Sequence, residues 1–271
     1  MHDIHCHLLP GLDDGPTTWD ESLAMARLAV ESGTQTVIVT PHQLGTYRDN
    51  SGNTIRQKTM ELRQRLNASQ IPLKVLPGGD VRIEPELASA LRNDHVLTLG
   101  DHGRHVLLEL PHELYFPLEP LLQQLARQQL VGILSHPERN LGILAAPECL
   151  AGLVKAGCLM QLTAGSFLGN FGRASQVMSE RMLREGLVHF VASDGHGMGS
   201  RRPCLAQAFQ RVTELSDLPT AIRLFVSNPS LVCDGQQVPC AAIPPPPTVH
   251  RFSLHWLQQK LRRSGTPALR P

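Results

Sequence analysis

Short apolar runs recur along the chain, separated by stretches in which apolar residues repeat at helical spacing. TVIVT (36–40), LKVLPG (73–78), HVLLEL (105–110), LVGILS (130–135), CLMQLT (158–163) and VHFVAS (188–193) read as strands buried on both faces, since a half-exposed strand would alternate. The opening HDIHCH makes a seventh. Helices are predicted between them, at 17–33, 54–69, 84–93, 117–129, 146–156, 173–185 and 203–214. The first is the clearest: Thr18 can cap it, Glu21 completes a capping box, Trp19, Leu23, Ala26 and Val30 share a face, and Gly33 suits the position past the last turn. Strands about 25–40 residues apart fit βαβ units. The expected fold class is α/β, a parallel barrel of seven strands related to the TIM barrel. It is expected over residues 1–240, ending near NPSLVCDG.

Beyond it, IPPPP (243–247) reads as a stiff linker. The last segment, TVHRFSLHWLQQKLRRSGTPALRP, has five Lys or Arg and no acid, with Leu254, Leu257 and Leu261 able to share a helical face. It is either a docked helix or frayed tail, or a contact for a partner or membrane surface. Residues 241–271 are thus expected to be a Pro-rich linker and basic tail.

The chain has 271 residues, 25 Lys or Arg against 24 Asp or Glu, and a net charge of +1. That balance argues against binding nucleic acid by charge alone. No run approaches the ~18 apolar residues of a membrane span, and the N-terminus has no signal-peptide pattern. Cys6, Cys149, Cys158, Cys204, Cys233 and Cys240 form no C-x-x-C pair and read as reduced thiols of a cytoplasmic protein. No cysteine has an Arg six residues on, and neither a P-loop nor G-x-S-x-G occurs.

The strand ends carry the candidate chemistry. His5 and His7 point to one side of the first strand and Cys6 to the other, and Asp14 follows in the next loop. Later strands end in His42, Asp80, Glu109, His136 with Glu138 and Arg139, and Asp194 with His196, Arg201 and Arg202. Only the sixth, ending LTAGS, brings no strong ligand. Any one of these residues is ordinary as a cap or turn residue; six of seven strands ending this way is not, and barrel sites form at this rim. Mixed imidazole and carboxylate donors suit divalent Zn, Mn or Fe. Nine such donors, Glu138 aside, exceed the needs of one ion and fit two or three. Two arginines beside them match phosphate oxygens, so metal-assisted phosphoester hydrolysis is the expected reaction class. The polar loop QLGTYRDNSGNTIRQ after His42 is either a substrate lid, with Tyr47 and Arg48 as candidates, or an ordinary solvated loop.

In order, DIHCHLLPGLDDGP, TPH, LLELP, SHPERN, QLTAGS and ASDGHG…RRP resemble the motifs of the PHP superfamily, and within it the bacterial tyrosine-protein phosphatases encoded with capsule and exopolysaccharide genes. The resemblance covers about residues 1–235. It implies a seven-stranded barrel with a trinuclear site, commonly manganese, with Zn, Fe or Co as other occupants. It also implies dephosphorylation of the tyrosine-rich tail of a bacterial tyrosine kinase that controls polysaccharide export. Carried over, it places His5, His7, Asp80 and Asp194 at a first metal, Glu109 and His136 with bridging Asp80 at a second, and Asp14, His42 and His196 at a third. Arg139 and Arg201 match its phosphate-contacting arginines. Here RRP stands where the family has RPP, so Arg202 is a competitor for that role. The family's bridge is usually Glu. Asp80 is one methylene shorter, so either the strand end lies further inward or a metal is held more weakly. Two other readings stand beside this one: a small-molecule phosphoesterase of the histidinol-phosphatase kind, and a non-catalytic regulator. A homo-oligomer is compatible with either.

Overall fold

A computed structural model describes residues 1–239. Cys240, the proline run, the basic tail and its predicted leucine face lie outside the described residues. All seven predicted strands form, and all pair in parallel. Two of them are split, so there are nine elements: β1 (His2–Cys6), β2 (Thr36–Val39), β3 (His42–Gln43), β4 (Lys74–Pro77), β5 (Asp80–Arg82), β6 (His105–Glu109), β7 (Val131–Ser135), β8 (Leu159–Thr163) and β9 (Phe190–Ala192). One sheet runs β1-β2-β4, the other β3-β5-β6-β7-β8-β9.

The breaks have local causes. Pro41 separates β2 from β3 and has no N–H to give a ladder. Gly78 and Gly79 separate β4 from β5. A Cβ on Gly78 would stand 2.7 Å from Ile38, and one on Gly79 would stand 2.2 Å from the Gln43 amide oxygen. The backbone there passes too close to its neighbours for any side chain. Each broken segment therefore contributes to both sheets. Across the opposite seam, the Asp194 N–H donates to the His5 carbonyl at 2.8 Å, the His7 N–H to the Gly195 carbonyl at 2.8 Å, and Asp3 accepts from the Ser193 N–H at 3.0 Å.

Both faces of the strands are covered, which explains the unbroken apolar runs. Ile4, Ile38, Leu107, Ile133, Leu159 and Phe190, from six strands, pack into one cluster. Cys6, Val37, Val39 and Val75 on the other face pack with Met25, Ile55, Leu62 and Leu66 of the first two helices. The first helix, Trp19–Glu31, carries the predicted capping box from Thr18 and Glu21. The second spans Gly52–Ala68, two residues earlier than its apolar pattern suggests, because Ser51 caps it through the Thr54 N–H. The other predicted helices form at Leu87–Arg92, Glu119–Arg127, Cys149–Lys155, Gly172–Arg184 and Ala206–Leu215. NPSLVCDG is not a loose boundary. Asn228–Cys233 is a helix, with Val232 buried and the Asn228 amide donating to the His189 carbonyl at 2.9 Å. Among the described residues no helix is long and apolar enough to cross a membrane.

Candidate metal centre

The predicted donors meet at the C-terminal ends of the strands. Strand alternation does what was expected at the start of the chain: His5 and His7 are fully buried toward the centre, while Cys6 faces the helices. The Cys6 thiol lies 3.7 Å from the Gly195 carbonyl, and burial pushes its pKa well up, which disfavours the thiolate. His42 opens β3, Asp80 opens β5 and Glu109 closes β6. His136 and Asp194 follow β7 and β9, both with left-handed backbones at φ 34° and 51°. Non-glycine residues held there store strain, which is typical of sites where side-chain aim matters.

Three donor groups have their ligand atoms within 4.8 Å of one another: His5, His7 and Asp80; His42, Asp80 and Glu109; and His7, Asp14, His42 and His196. Asp194 joins the first, its carboxylate 3.3 Å from His5 Nε2. His136 stands at the edge of the second, with Nε2 3.8 Å from Glu109. The short Asp80 side chain reaches both sides, its Oδ2 3.4 Å from His5 Nε2 and 3.4 Å from His42 Nδ1.

The centre is built to take cations. Asp80 is completely buried, and neither carboxylate oxygen accepts a hydrogen bond, an arrangement that costs several kcal/mol unless a cation compensates. His5 Nε2 and His7 Nε2 face each other at 3.2 Å. Once His5 gives up its extra proton, two neutral imidazoles in that pose leave two lone pairs aimed at one point. The ionisations follow. Burial opposes a charge on His5, but Asp80 and Asp194 outweigh it and raise its pKa to about 9. Burial and then the charges of His196 and His42 push His7 well down, and burial with Arg139 lowers His136 to about 3. Burial and the Asp80 charge raise Glu109 to about 7. A donor set so divided over where protons go is matched to divalent ions, which compete with protons for the same lone pairs.

Both predicted arginines arrive at the centre, on the same carboxylate. Arg139 donates to Asp194 Oδ2 through Nη1, and its guanidinium lies 4.1 Å from the centroid of the Phe171 ring. Arg201 Nη2 donates to both Asp194 oxygens at 3.0 Å, and Nη1 to Asp14 at 3.4 Å. Its Nε is buried without a partner. Arg202 is exposed and lines a cavity of about 330 Å³ beside Arg201.

Two supporting residues escaped the sequence reading. Asp13, beside the predicted Asp14, accepts from His7 Nδ1 at 2.6 Å and from the His42 N–H at 3.0 Å. A carboxylate only accepts, so His7 carries its proton on Nδ1 and offers Nε2 to the centre. Gln161 of β8 takes the same part for His5, its Oε1 2.8 Å from Nδ1. The strand with no ligand thus orients one. The doubled Asp in DDGP was the available signal for Asp13; for Gln161 only its place in a strand of the ligand-bearing rim pointed that way. Glu138 is not a ligand but a buried brace, accepting from the Thr163 N–H at 2.9 Å and the Ser166 hydroxyl at 2.7 Å.

The profile of the family described as capsular polysaccharide synthesis, CpsB/CapC, matches residues 1–234. The tyrosine-protein phosphatase YwqE of Bacillus subtilis is 38% identical over 203 residues, 74% of this chain and 79% of that one. The tyrosine-protein phosphatase CpsB of Streptococcus pneumoniae is 25% identical over 244 residues, 88% of this chain and 100% of that one. A solved structure from work on those two proteins, described as unique metal-dependent tyrosine phosphatases, superposes with a TM-score of 0.84 at 34% identity. It covers 88% of this chain and 96% of its own.

Proposed function

This chain belongs to the CpsB/CapC family of capsular polysaccharide synthesis, and from that premise we propose that it is a metal-dependent protein-tyrosine phosphatase. The observation that carries the reading is the centre itself: three donor groups, each with its ligand atoms within 4.8 Å, at the strand ends and flanked by two arginines. His5, His7, Asp80 and Asp194 would hold one ion, Glu109 and His136 with Asp80 a second, and Asp14, His42 and His196 a third. His7 and His42 each reach two donor groups, so the partition between ions is decided by which lone pair each imidazole offers. Divalent ions there, manganese foremost, would supply Lewis acidity and a more acidic water. The chain supplies the rest. Asp13 and Gln161 fix the His7 and His5 tautomers. Arg201 and Arg139, through the Nη hydrogens that Asp194 and Asp14 leave free, hold phosphate oxygens and the charge that grows on them. Phe171 fixes the plane of Arg139.

The apolar cluster shared by six strands, with the bonds from Asp194 and His7 across the seam, supports reading the two sheets as one seven-stranded barrel of the PHP type. We take residues 1–240 as the catalytic domain, the cytoplasm as its compartment and the phosphotyrosine tail of a bacterial tyrosine kinase as its substrate. The deciding experiment compares turnover of a phosphotyrosine peptide and of histidinol phosphate by manganese-loaded protein, with bound metal measured on the same sample. Preference for the peptide, abolished by chelation, is expected. Preference for histidinol phosphate would assign a small-molecule enzyme, and no turnover of either by metal-loaded protein would assign a regulator.

A further inference from the structure

A cavity of about 780 Å³ opens directly off the centre, lined by Asp14, His42 and Glu109 together with Tyr47, Arg48 and Arg82. That volume is far more than a phosphate group needs and lies in the range of sites that enclose a much larger ligand. The loop that forms one wall is held, not slack. Leu44 has a left-handed backbone at φ 67°, the Tyr47 N–H donates to the Leu44 carbonyl at 2.9 Å, and Asn50 pins the far end through the Leu12 and His42 carbonyls. This holds the Tyr47 ring stacked on His42, centroids 5.3 Å apart and planes at 17°. The ring is only half-buried, so core packing does not account for it.

We infer that Tyr47 is a specificity-determining residue that receives the aryl ring of the substrate, selecting aryl over alkyl phosphate esters. The inference rests on the phosphatase reading. In an aryl phosphate a single oxygen separates phosphorus from the ring. A phosphate at the centre therefore puts the leaving ring just outside it. Tyr47, one stacking distance above His42, lies at that depth. Arg48 and Arg82 form no ion pair among the described residues and stand further along the same cleft, where chain flanking the tyrosine would run. The rival aromatic is Phe171 on the opposite flank. Its ring lies under Arg139, and its 330 Å³ cavity includes none of the proposed metal ligands.

The test is calorimetric binding of phenylphosphonate and methylphosphonate to metal-loaded wild type, Tyr47→Leu, Tyr47→Phe and Phe171→Leu, with metal content measured for each. Wild type is expected to prefer phenylphosphonate by roughly ten-fold, the scale of one aromatic contact with its buried area. Tyr47→Leu should lose that preference, Tyr47→Phe should keep it, and the loss should fall on phenylphosphonate more than on methylphosphonate. An unchanged preference in Tyr47→Leu overturns the inference, as does a loss confined to Phe171→Leu. Methylphosphonate binding with no phenyl preference in wild type sinks the Tyr47 role alone. If neither phosphonate binds the metal-loaded protein, the phosphatase reading itself fails and the inference with it.

Discussion

Asp13 is the residue whose substitution separates orientation from ligation. Asp13→Ala removes the acceptor of His7 Nδ1–H altogether, freeing His7 to take the wrong tautomer. Loss of such a partner costs roughly 10–100-fold in metal affinity. Calorimetric metal titration checks it, and an unchanged dissociation constant with only a lowered Tm would make Asp13 a mere loop anchor. Asp80→Asn goes further. It removes the carboxylate that serves two donor groups, so the rise in Tm on adding manganese should largely vanish while chelated protein melts at or above wild type. The arginines are the harder case, because a bracing role and a phosphate-holding role share the same atoms at Asp194. Arg201→Ala should cut kcat/KM for phosphotyrosine peptide by roughly 10²–10³ with metal content unchanged, and Arg202→Ala much less. A loss of metal without that loss of turnover per bound metal would mean Arg201 only braces Asp194. At this scale the side chains that meet at the strand ends were legible in the sequence, because a His or Asp directly after a strand has few places to go. Their supports were not, since nothing local marks Gln161 as the residue that would face His5 across 156 positions of chain.

The strands were legible as apolar runs because both faces are covered, and the first helix because its cap is written in adjacent residues. The two strand breaks were not read, although Pro41 and the Gly78–Gly79 pair were in plain view. What those residues do depends on how near the neighbouring strand passes, a property of the packed sheet. Glycine substitutions convert this into numbers. A Cβ on Gly79 would meet the Gln43 amide oxygen at 2.2 Å, and that oxygen already accepts from the Leu97 N–H at 2.9 Å. Gly79→Ala must displace either Gln43 or the backbone that opens β5 at Asp80. It should cost about 1–3 kcal/mol, the usual range for overpacking, and weaken metal binding as well. Gly152 is the counter-case. It lies inside the helix Cys149–Lys155, and a Cβ there meets nothing within 4 Å. Gly152→Ala should therefore stabilise by roughly 0.5–1 kcal/mol through helix propensity alone. Urea midpoints of both variants check the pair, and a stable Gly79→Ala would mean that the break at β4–β5 yields more easily than its close contacts suggest.

On the scale of the whole molecule, the two ends of the strands respond to acid for different reasons. At the C-terminal end, protons would compete with bound metal for the His, Asp and Glu donors. At the N-terminal end, two histidines are buried neutral. His105 opens β6 with neither ring nitrogen bonded, and His189, just before β9, accepts the Met160 N–H at 3.1 Å. Burial, reinforced at His105 by Arg104 and assisted at His189 by Arg223, lowers both to about 4. In the unfolded chain each titrates near 6.5, the ordinary histidine value. Between about pH 6.5 and 4 the unfolded state therefore binds more protons, so stability is complete above 6.5 and falls as pH drops toward 4. The loss at pH 5 is on the order of 1–2 kcal/mol for each residue. His105→Phe removes one of these groups without leaving a hydrogen bond unmade. Its urea midpoint should lie close to wild type at pH 7.5 and above it at pH 5, both measured with chelator present so that metal release does not contribute. Equal losses in the two proteins between those pH values would mean that His105 contributes nothing to the acid sensitivity of this fold.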